Sequence, residues 1–215
     1  MPQRALPARR PSRQPRFPAL TRRGRDTRHR IVAAASELMF SQGVTATTLT
    51  EVRAATGTSN SQLYHYFTDK SELVQAVIAF QTDQFLRAQG PVLDELDSWE
   101  GLLAWSQLMV AAQRDRDCAG GCSVGSLASE LADNDEGSRL ALVEAFERWQ
   151  AHLVKGLVAM RERGDLAECA DPEELATALM TAIEGGLVLS QVTRDVRPLE
   201  VSLKSALGYV RTFLR

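Results

Sequence analysis

Apolar residues recur every three or four positions from Asp26 to the end of the chain, which is the period of amphipathic α-helices. The first run includes Ile31, Ala35 and Leu38 and ends at Gly43, a residue that commonly terminates helices. Longer runs follow at about 70–89, 98–115, 124–132, 136–163, 172–193 and 198–213. Because no segment shows the period-two alternation typical of strands, the chain is predicted to be all-α.

Two short helices are predicted between the first run and residue 70, and each begins with a capping box. In this motif the first side chain and the one three residues later satisfy each other's free backbone N–H groups. Thr48 and Glu51 form one box, and Ser59 and Gln62 form the next. Gly57 ends the first short helix and leaves a tight turn before the second.

This pair of short helices has the helix lengths and the turn spacing of a helix-turn-helix. A third capping box, Asp69 with Glu72, opens the helix that follows. The predicted organisation is a three-helix helix-turn-helix domain over residues 25–70 and a larger helical ligand-binding and dimerisation domain over residues 71–215. On spacing alone, a helical hairpin in an ordinary bundle is an equally good interpretation.

The N-terminal segment differs in composition from the rest. Residues 1–24 hold five of the eight prolines and no acidic residue. Such a segment has too little apolar surface to order itself, so a disordered basic arm is predicted over residues 1–24. The composition leaves open whether this arm follows a DNA groove or stays free in solution.

The net charge of −2 conceals an uneven distribution. Residues 1–75 carry 12 basic and 5 acidic residues, whereas residues 76–215 carry 13 basic and 22 acidic ones. A DNA-binding end joined to a partner-binding body shows this asymmetry. A basic tail that merely skews the count is the alternative, since ten of the twelve basic residues precede Ile31.

The sequence shows no residue pattern typical of a catalytic or cofactor-binding site. The three histidines, His29, His65 and His152, are scattered, and the chain has no glycine-rich phosphate loop and no metal-ligand cluster. We therefore expect no catalytic residue, no cofactor and no enzyme. An α-helical carrier without DNA-binding activity is the alternative class.

Three cysteines, Cys118, Cys122 and Cys169, are too few for a disulfide framework and favour a reducing compartment. No stretch approaches roughly 18 uninterrupted apolar residues, and the Arg-rich N-terminus lacks the apolar part of a secretory signal. A cytoplasmic protein without a membrane partner is predicted. Lacking a nearby fourth ligand, the first two cysteines are interpreted as ordinary thiols rather than a zinc site, with a redox switch as the alternative.

The second short helix offers groups that suit DNA. After the capping Ser59, its first turn presents Asn60, Ser61 and Gln62, where a recognition helix meets base edges and Asn or Gln can pair with adenine. Phosphate contacts are predicted for the residues that follow, Tyr64, His65, Tyr66 and Lys70. On pattern alone, the tyrosines are equally well interpreted as surface aromatics.

Four short sequence motifs lie in this region, at 47–48, 54–59, 63–67 and 69–73. Their order and spacing resemble those of the N-terminal domain of the TetR family of bacterial regulators. The resemblance covers residues 27–75. It implies an all-α homodimer with a three-helix DNA-binding domain and a larger body that binds a small-molecule effector. Thr56 and Thr58 depart from the family, which usually has Ala and Val there.

The resemblance also implies individual DNA contacts. Matched position by position, the residues that would contact phosphates are Thr48, Tyr64, Tyr66 and Lys70. Those that would face bases are Thr50, Asn60, Ser61 and His65. A dimer would then bind a palindromic operator. In the commoner arrangement of the family, a small hydrophobic effector releases the repressor from DNA. Corepression and activation are the alternatives.

The larger domain has several candidate ligand residues. Trp105, Met109, Phe146 and Trp149 would either line a cavity or pack as ordinary core. The motif from Gly121 to Leu127, which includes Cys122, is similar to a motif found in a TetR subset of the LmrA type. This subset contains flavonoid-responsive repressors. This second resemblance implies that Cys122 and Leu127 lie near the ligand cavity and that the effector is aromatic.

The last two helices are predicted to form the dimer interface. The proposed contacts form two apolar stripes at helical spacing: Leu179, Ile183, Gly186 and Leu187 on the first helix, and Leu203, Leu207 and Val210 on the second. Two such faces fit a four-helix interface between copies. The alternative is that both stripes complete the core of a single chain.

Overall fold

The structure is a computed structural model that describes residues 20–215. These residues form α1 (Arg22–Gln42), α2 (Leu49–Thr56), α3 (Asn60–Tyr66), α4 (Lys70–Gln89), a 3-10 helix (Gly90–Glu95), α5 (Trp99–Arg114), α6 (Ser123–Leu131), α7 (Glu136–Arg163), α8 (Pro172–Thr193) and α9 (Arg197–Arg211). The one β feature in this range is an isolated bridge between Leu166 and Leu214. The all-α prediction is confirmed.

The first helix begins earlier than the sequence suggested. Thr21 caps α1 by accepting a hydrogen bond from the Gly24 amide at 3.2 Å, so the helix starts at Arg22. The part of the predicted arm from Arg22 to Gly24 is therefore helical. Residues 1–19 of that arm lie outside the described residues.

Both capping boxes of the helix-turn-helix form as predicted. The Thr48 amide donates to the Glu51 carboxylate at 2.7 Å, and the Glu51 amide donates back to the Thr48 hydroxyl at 3.2 Å. The corresponding bonds between Ser59 and Gln62 measure 2.9 and 3.2 Å. Gly57 adopts φ +64° between the helices, a left-handed conformation that glycine accommodates without strain.

The third capping box forms only in half. Asp69 caps α4 by accepting from the Glu72 amide at 2.8 Å. The Glu72 carboxylate, however, accepts from the Thr68 amide at 2.7 Å and from the Thr68 hydroxyl at 2.9 Å. The reciprocal bond is thus shifted by one residue, and it ties the end of the α3–α4 connection to α4.

Helix α8 is the one helix among residues 20–215 that is long and apolar enough, by length and composition alone, to cross a membrane. Nine of its 22 residues are buried within this chain, and it packs against α7 and α9. Core helices pass the same length and composition test, and packing accounts for the apolar character of α8.

The stripes assigned to the dimer interface lie inside the chain, which corrects that prediction. All seven residues are buried in the single chain, namely Leu179, Ile183, Gly186, Leu187, Leu203, Leu207 and Val210. At Gly186 an added Cβ would lie 2.8 Å from the Leu199 Cα. The stripes therefore pack α8 on α9 within one chain, and Gly186 permits that close approach.

Another set of apolar residues on the same two helices stays exposed. Val188, Leu189 and Val192 of α8 and Val201 of α9 are all more than half exposed, between 54% and 77%. Gly185 lies beside them in open space, because an added Cβ there would meet nothing within 4 Å. We call these five residues the outer α8–α9 face.

Candidate functional site

Helix α3 presents a polar, exposed surface at the N-terminal end of the molecule. Asn60, Ser61, Tyr64 and His65 are exposed, with Tyr64 at 51%. Leu63, on the opposite side of the helix, is fully buried. The helix is thus anchored by one apolar face and offers amide, hydroxyl and imidazole groups on the other, the composition that DNA recognition needs.

Several residues that are predicted to contact DNA also cap the helices by hydrogen bonds to the local backbone. Thr48, Ser59 and Gln62 are exposed, but their side chains already serve the capping boxes. The Ser61 hydroxyl lies 3.0 Å from that of Ser59. Thr50 is exposed one residue into α2. The caps leave the amide of Asn60 as the exposed group best suited to pair with a base edge.

Tyr66 and Lys70 are less accessible than their neighbours. Tyr66 is half-buried against the core and packs edge-on against the His65 ring, with ring centroids 4.9 Å apart. The Lys70 ammonium donates to the Thr45 carbonyl at 3.3 Å. Lys70 therefore connects the start of α4 with the α1–α2 connection, in addition to any contact with a phosphate.

The two departures from the family pattern pair with each other. The hydroxyls of Thr56 and Thr58 lie 2.8 Å apart, and the Thr56 hydroxyl also donates to the Val52 carbonyl at 2.8 Å. Thr58 is buried, at 6% exposure. The turn between α2 and α3 thus accommodates two polar side chains because each satisfies the other.

A carboxylate from the body holds the α1–α2 connection. Glu130 of α6 accepts from the Val44 amide at 2.9 Å and from the Thr45 amide at 2.6 Å. Burial alone would raise the pKa of Glu130, but these hydrogen bonds, with a smaller effect of Lys70, hold that pKa below its ordinary value. The backbone of Thr45 is therefore bound on both sides, by Glu130 at its N–H group and by Lys70 at its carbonyl.

A second link joins α4 to the body. The Ser71 hydroxyl donates to the Asp135 carboxylate at 3.0 Å, and Asp135 also caps α7 by accepting from the Ser138 amide at 2.7 Å. Sequence reasoning found neither link, because Glu130 and Asp135 resemble ordinary solvent-facing acids and their partners lie 64 to 86 positions away. Only tertiary structure brings these groups together.

Replacing Glu130 with Gln is expected to destabilise the protein at neutral pH by roughly 0.5–1.5 kcal/mol, because the two backbone amides donate to different carboxylate oxygens and Gln replaces one of these oxygens with an NH2 group that cannot accept. The folded-state pKa lies below its ordinary value of 4.5, so the stabilising effect of the carboxylate is present above that value and is lost as pH falls through the folded pKa. The difference between wild type and variant should therefore shrink on acidification.

Urea unfolding at pH 7 and below pH 4 measures this difference. Glu144→Gln, at an exposed position of α7, is the matched control and should behave like wild type at both pH values. A Glu130→Gln penalty that stays the same from neutral to acid pH would contradict the assigned role of the carboxylate.

A cavity of about 260 Å³ lies where the N-terminal helices meet the body. We call it the cavity at the α1 boundary. Its wall includes Ser36, Met39 and Phe40 of α1, and it is completed by Gly43 after the end of α1 and by residues of α4, α6, α8 and the loop before α6. Leu127 is the one predicted ligand residue on this wall. A second, more open groove of about 510 Å³ lies between α5 and α9 and is lined in part by Leu203 and Leu207.

The other predicted ligand residues belong to the core. Trp105 is fully buried and its indole N–H donates to Gln89 at 2.8 Å. Trp149 is buried and packs edge-on against Phe85 with ring centroids 4.5 Å apart. Met109 is buried and Phe146 is half-buried. None of these four lines the cavity at the α1 boundary, so they pack as ordinary core in this structure.

Cys122 lies beside the cavity rather than in its wall. Its sulfur caps α6 by accepting from the Gly125 amide at 3.2 Å. Burial, and secondarily the neighbouring Glu184 carboxylate, raise the pKa of the Cys122 thiol. A thiol that stays protonated is a poor nucleophile, which disfavours the redox alternative. Within residues 20–215, no group of three or more His, Cys, Asp or Glu side chains could hold a metal ion.

Comparison with known families matches both parts of the chain. Residues 31–77 match the model of bacterial regulatory proteins of the tetR family, and residues 98–204 match that of LmrA/YxaF-like transcriptional regulators, C-terminal domain. An HTH-type transcriptional regulator in the lacX 3′ region of Lactococcus lactis is 30% identical over 82% of this chain and 89% of its own length. The regulator YxaF of Bacillus subtilis is 29% identical over 84% of this chain and 92% of its own.

Solved structures share the fold at lower identity. A TetR transcriptional regulator from Chloroflexus aurantiacus superposes with a TM-score of 0.76 and 21% identity, over 91% of this chain and 99% of its own. The reduced form of NemR from Escherichia coli superposes with a TM-score of 0.72 and 22% identity, over 88% and 98%. The shared architecture is a helix-turn-helix domain followed by a helical body.

Proposed function

The chain belongs to the TetR family of bacterial regulatory proteins, in its LmrA-like subset, and we propose that it is a ligand-responsive repressor that binds a palindromic operator as a homodimer. A small hydrophobic effector, aromatic compounds included, releases it from DNA. The observation that carries the proposal is the exposed polar face of α3 together with the Glu130 contact that joins the helix-turn-helix to the body.

DNA recognition is assigned to the exposed polar residues of α2 and α3. In this proposal Asn60 and Ser61 read bases in the major groove, while Tyr64 and Lys70 contact phosphates. The N-terminal turn of a recognition helix is the part that approaches base edges, and Asn60 occupies the first position of α3. The excess of basic residues in the first third of the chain adds attraction for the polyanion that is independent of sequence.

The outer α8–α9 face is proposed as the dimer surface. Its apolar side chains are exposed in the single chain, and they adjoin a glycine with open space beside it. A second copy related by a two-fold axis would cover this face with its own equivalent. The two copies would then place two α3 helices on successive half-sites of one operator.

Effector control requires that the ligand prefer one arrangement of the helix-turn-helix relative to the body. A preference of about 1–3 kcal/mol changes operator affinity roughly 5- to 150-fold. The contacts that Glu130 and Asp135 make with the N-terminal domain are the physical connection through which α6 and α7 act. We also propose a cytoplasmic location, as for other DNA-binding regulators.

Selection of bound fragments from genomic DNA, followed by gel-shift titration at several salt concentrations, tests the function. We expect one enriched palindromic sequence, bound at least 10³-fold more tightly than random DNA at physiological salt, with affinity that falls steeply as salt rises. Purified protein that enriches no sequence and binds all DNA weakly would contradict the proposal and favour the carrier alternative.

A further inference from the structure

We infer that the cavity at the α1 boundary is the effector site and that it takes a small, uncharged, amphipathic molecule. The inference rests on the proposed function and gives it a place and a ligand class. The cavity measures about 260 Å³, slightly below the roughly 300–1,000 Å³ of pockets for drug-sized ligands. Its occupant is therefore a compact molecule rather than a long or branched one.

The wall of the cavity combines apolar and neutral polar groups. Met39, Phe40, Val77 and Leu127 provide the apolar surface. The amides of Gln81 and Gln191 and the hydroxyls of Ser36, Ser123 and Ser126 provide neutral donors and acceptors. Such a wall suits a ligand with an apolar body and one or two hydroxyl or carbonyl groups, because every polar group can find a partner.

Charge on the wall excludes anionic ligands. Glu130 is the one charged residue that lines the cavity, and it is held as a carboxylate by the Val44 and Thr45 amides. Lys70 is near enough to influence Glu130, but its ammonium is bound to the Thr45 carbonyl and it does not line the cavity. An anion would lose its hydration and face this carboxylate without a cationic partner on the wall.

The position of the cavity connects it directly to the DNA-binding domain. Ser36, Met39 and Phe40 belong to α1, so an occupant touches the N-terminal domain itself. Glu130 lies in the wall and holds the connection between α1 and α2. An occupant that shifts α6 relative to α1 therefore disturbs the backbone of Thr45, to which Lys70 is also bound.

Two glycines shape the loop that closes the cavity. At Gly120 an added Cβ would lie 2.9 Å from the ring of Phe40, and at Gly121 it would lie 2.5 Å from the amide oxygen of Gln191. Both have positive φ, +82° and +53°. The loop thus packs closely on two wall residues, and Phe40 remains 58% exposed at the outer side.

The test uses two neighbouring serines of α6. Ser126 and Ser129 are both exposed, and the hydroxyl of each donates to the carbonyl four residues earlier. Ser126 lines the cavity and Ser129 does not. Ser126→Trp should therefore obstruct the cavity, whereas Ser129→Trp adds the same indole outside it.

The probes are 2-naphthol, which is neutral, and 2-naphthoate, which has the same rings and a negative charge. We expect 2-naphthol to raise the Tm of wild type and Ser129→Trp, and to bind Ser126→Trp at least tenfold more weakly. At equal concentration 2-naphthoate should leave the Tm unchanged. Equal stabilisation of both variants by 2-naphthol, stronger binding of 2-naphthoate, or no binding of 2-naphthol would overturn the inference.

Operator gel shifts separate this inference from the proposed function. In wild type and Ser129→Trp, 2-naphthol should weaken operator binding about 5- to 150-fold, with no change in Ser126→Trp. Cavity binding without any effect on the operator complex would overturn the effector assignment, whereas a wild type with no operator would refute the function itself. If Ser126→Trp does not fold, Gln191→Leu should weaken 2-naphthol binding roughly 2- to 12-fold by removing one hydrogen bond.

Discussion

Leu189→Glu is expected to dissociate the proposed dimer and to lower operator affinity by on the order of 10³-fold, to near the level of nonspecific DNA binding. Leu189 is 57% exposed and lies between Val188 and Val192 on the outer α8–α9 face. In a two-fold interface each substitution places two carboxylates against apolar surface, where they are desolvated without partners. A single chain reads only one half-site.

The matched control for this prediction is Leu140→Glu on α7. Leu140 is 54% exposed, so the same change in charge and size occurs at a similar exposed position outside the outer α8–α9 face. Light scattering and operator gel shifts measure both variants. We expect Leu140→Glu to stay dimeric and bind the operator. A dimeric Leu189→Glu with wild-type operator affinity would place the interface elsewhere.

Local structure was the part of the fold that the sequence predicted well. Capping boxes involve residues only three positions apart, so the pairs at Thr48 and Ser59 were predictable from residue types alone and form in the structure. Helical periodicity likewise predicted α1 and α4 to α9, since each of these helices has to bury one face. Leu63 of α3 and Phe67 at its C-terminal end are both buried.

Periodicity could not tell which neighbour covers an apolar stripe. The stripes of α8 and α9 are equally consistent with a second copy or with the core of one chain, and the structure places Ile183 and Leu203 in the core. The residues that stay exposed, Val188 and Val192 among them, gave a weaker signal because the polar residues Ser190 and Gln191 lie between them in sequence. The dimer surface that we propose therefore lies on another face of the same two helices.

Contacts between distant parts of the chain were also beyond sequence reasoning. Glu130 and Val44 are 86 positions apart, and neither residue belongs to a recognisable motif. The cavity at the α1 boundary has the same origin, because four helices and two connecting segments contribute to its wall. The resemblance to the LmrA-type subset implied that Cys122 and Leu127 lie near the ligand site, and Leu127 lines this cavity, but it implied none of the other side chains in the wall.

Asn60→Ala is expected to reduce discrimination at one base pair of each operator half-site by about 1–3 kcal/mol, or roughly 5- to 150-fold, because the bidentate contact with adenine that we propose would be lost. Asn60 is exposed at the first position of α3, and the capping of that helix depends on Ser59 and Gln62 instead. The helix should therefore keep its structure in the variant, and affinity for operators altered at that base pair should be nearly unchanged.

Lys70→Gln serves as the contrasting variant, because it removes the positive charge and keeps a polar side chain at this position. It should weaken binding to all DNA sequences alike and reduce the salt slope by about one unit. Gel shifts against a set of single-base operator variants at three salt concentrations measure both effects. If Asn60→Ala weakened every sequence equally, or if Lys70→Gln altered the preferred bases, the division between base-reading and phosphate-binding residues would be wrong. The two variants thus test separate contributions to DNA binding. Asn60→Ala, in α3, tests hydrogen bonding to a base edge, whereas Lys70→Gln, at the start of α4, tests the release of counterions from phosphates.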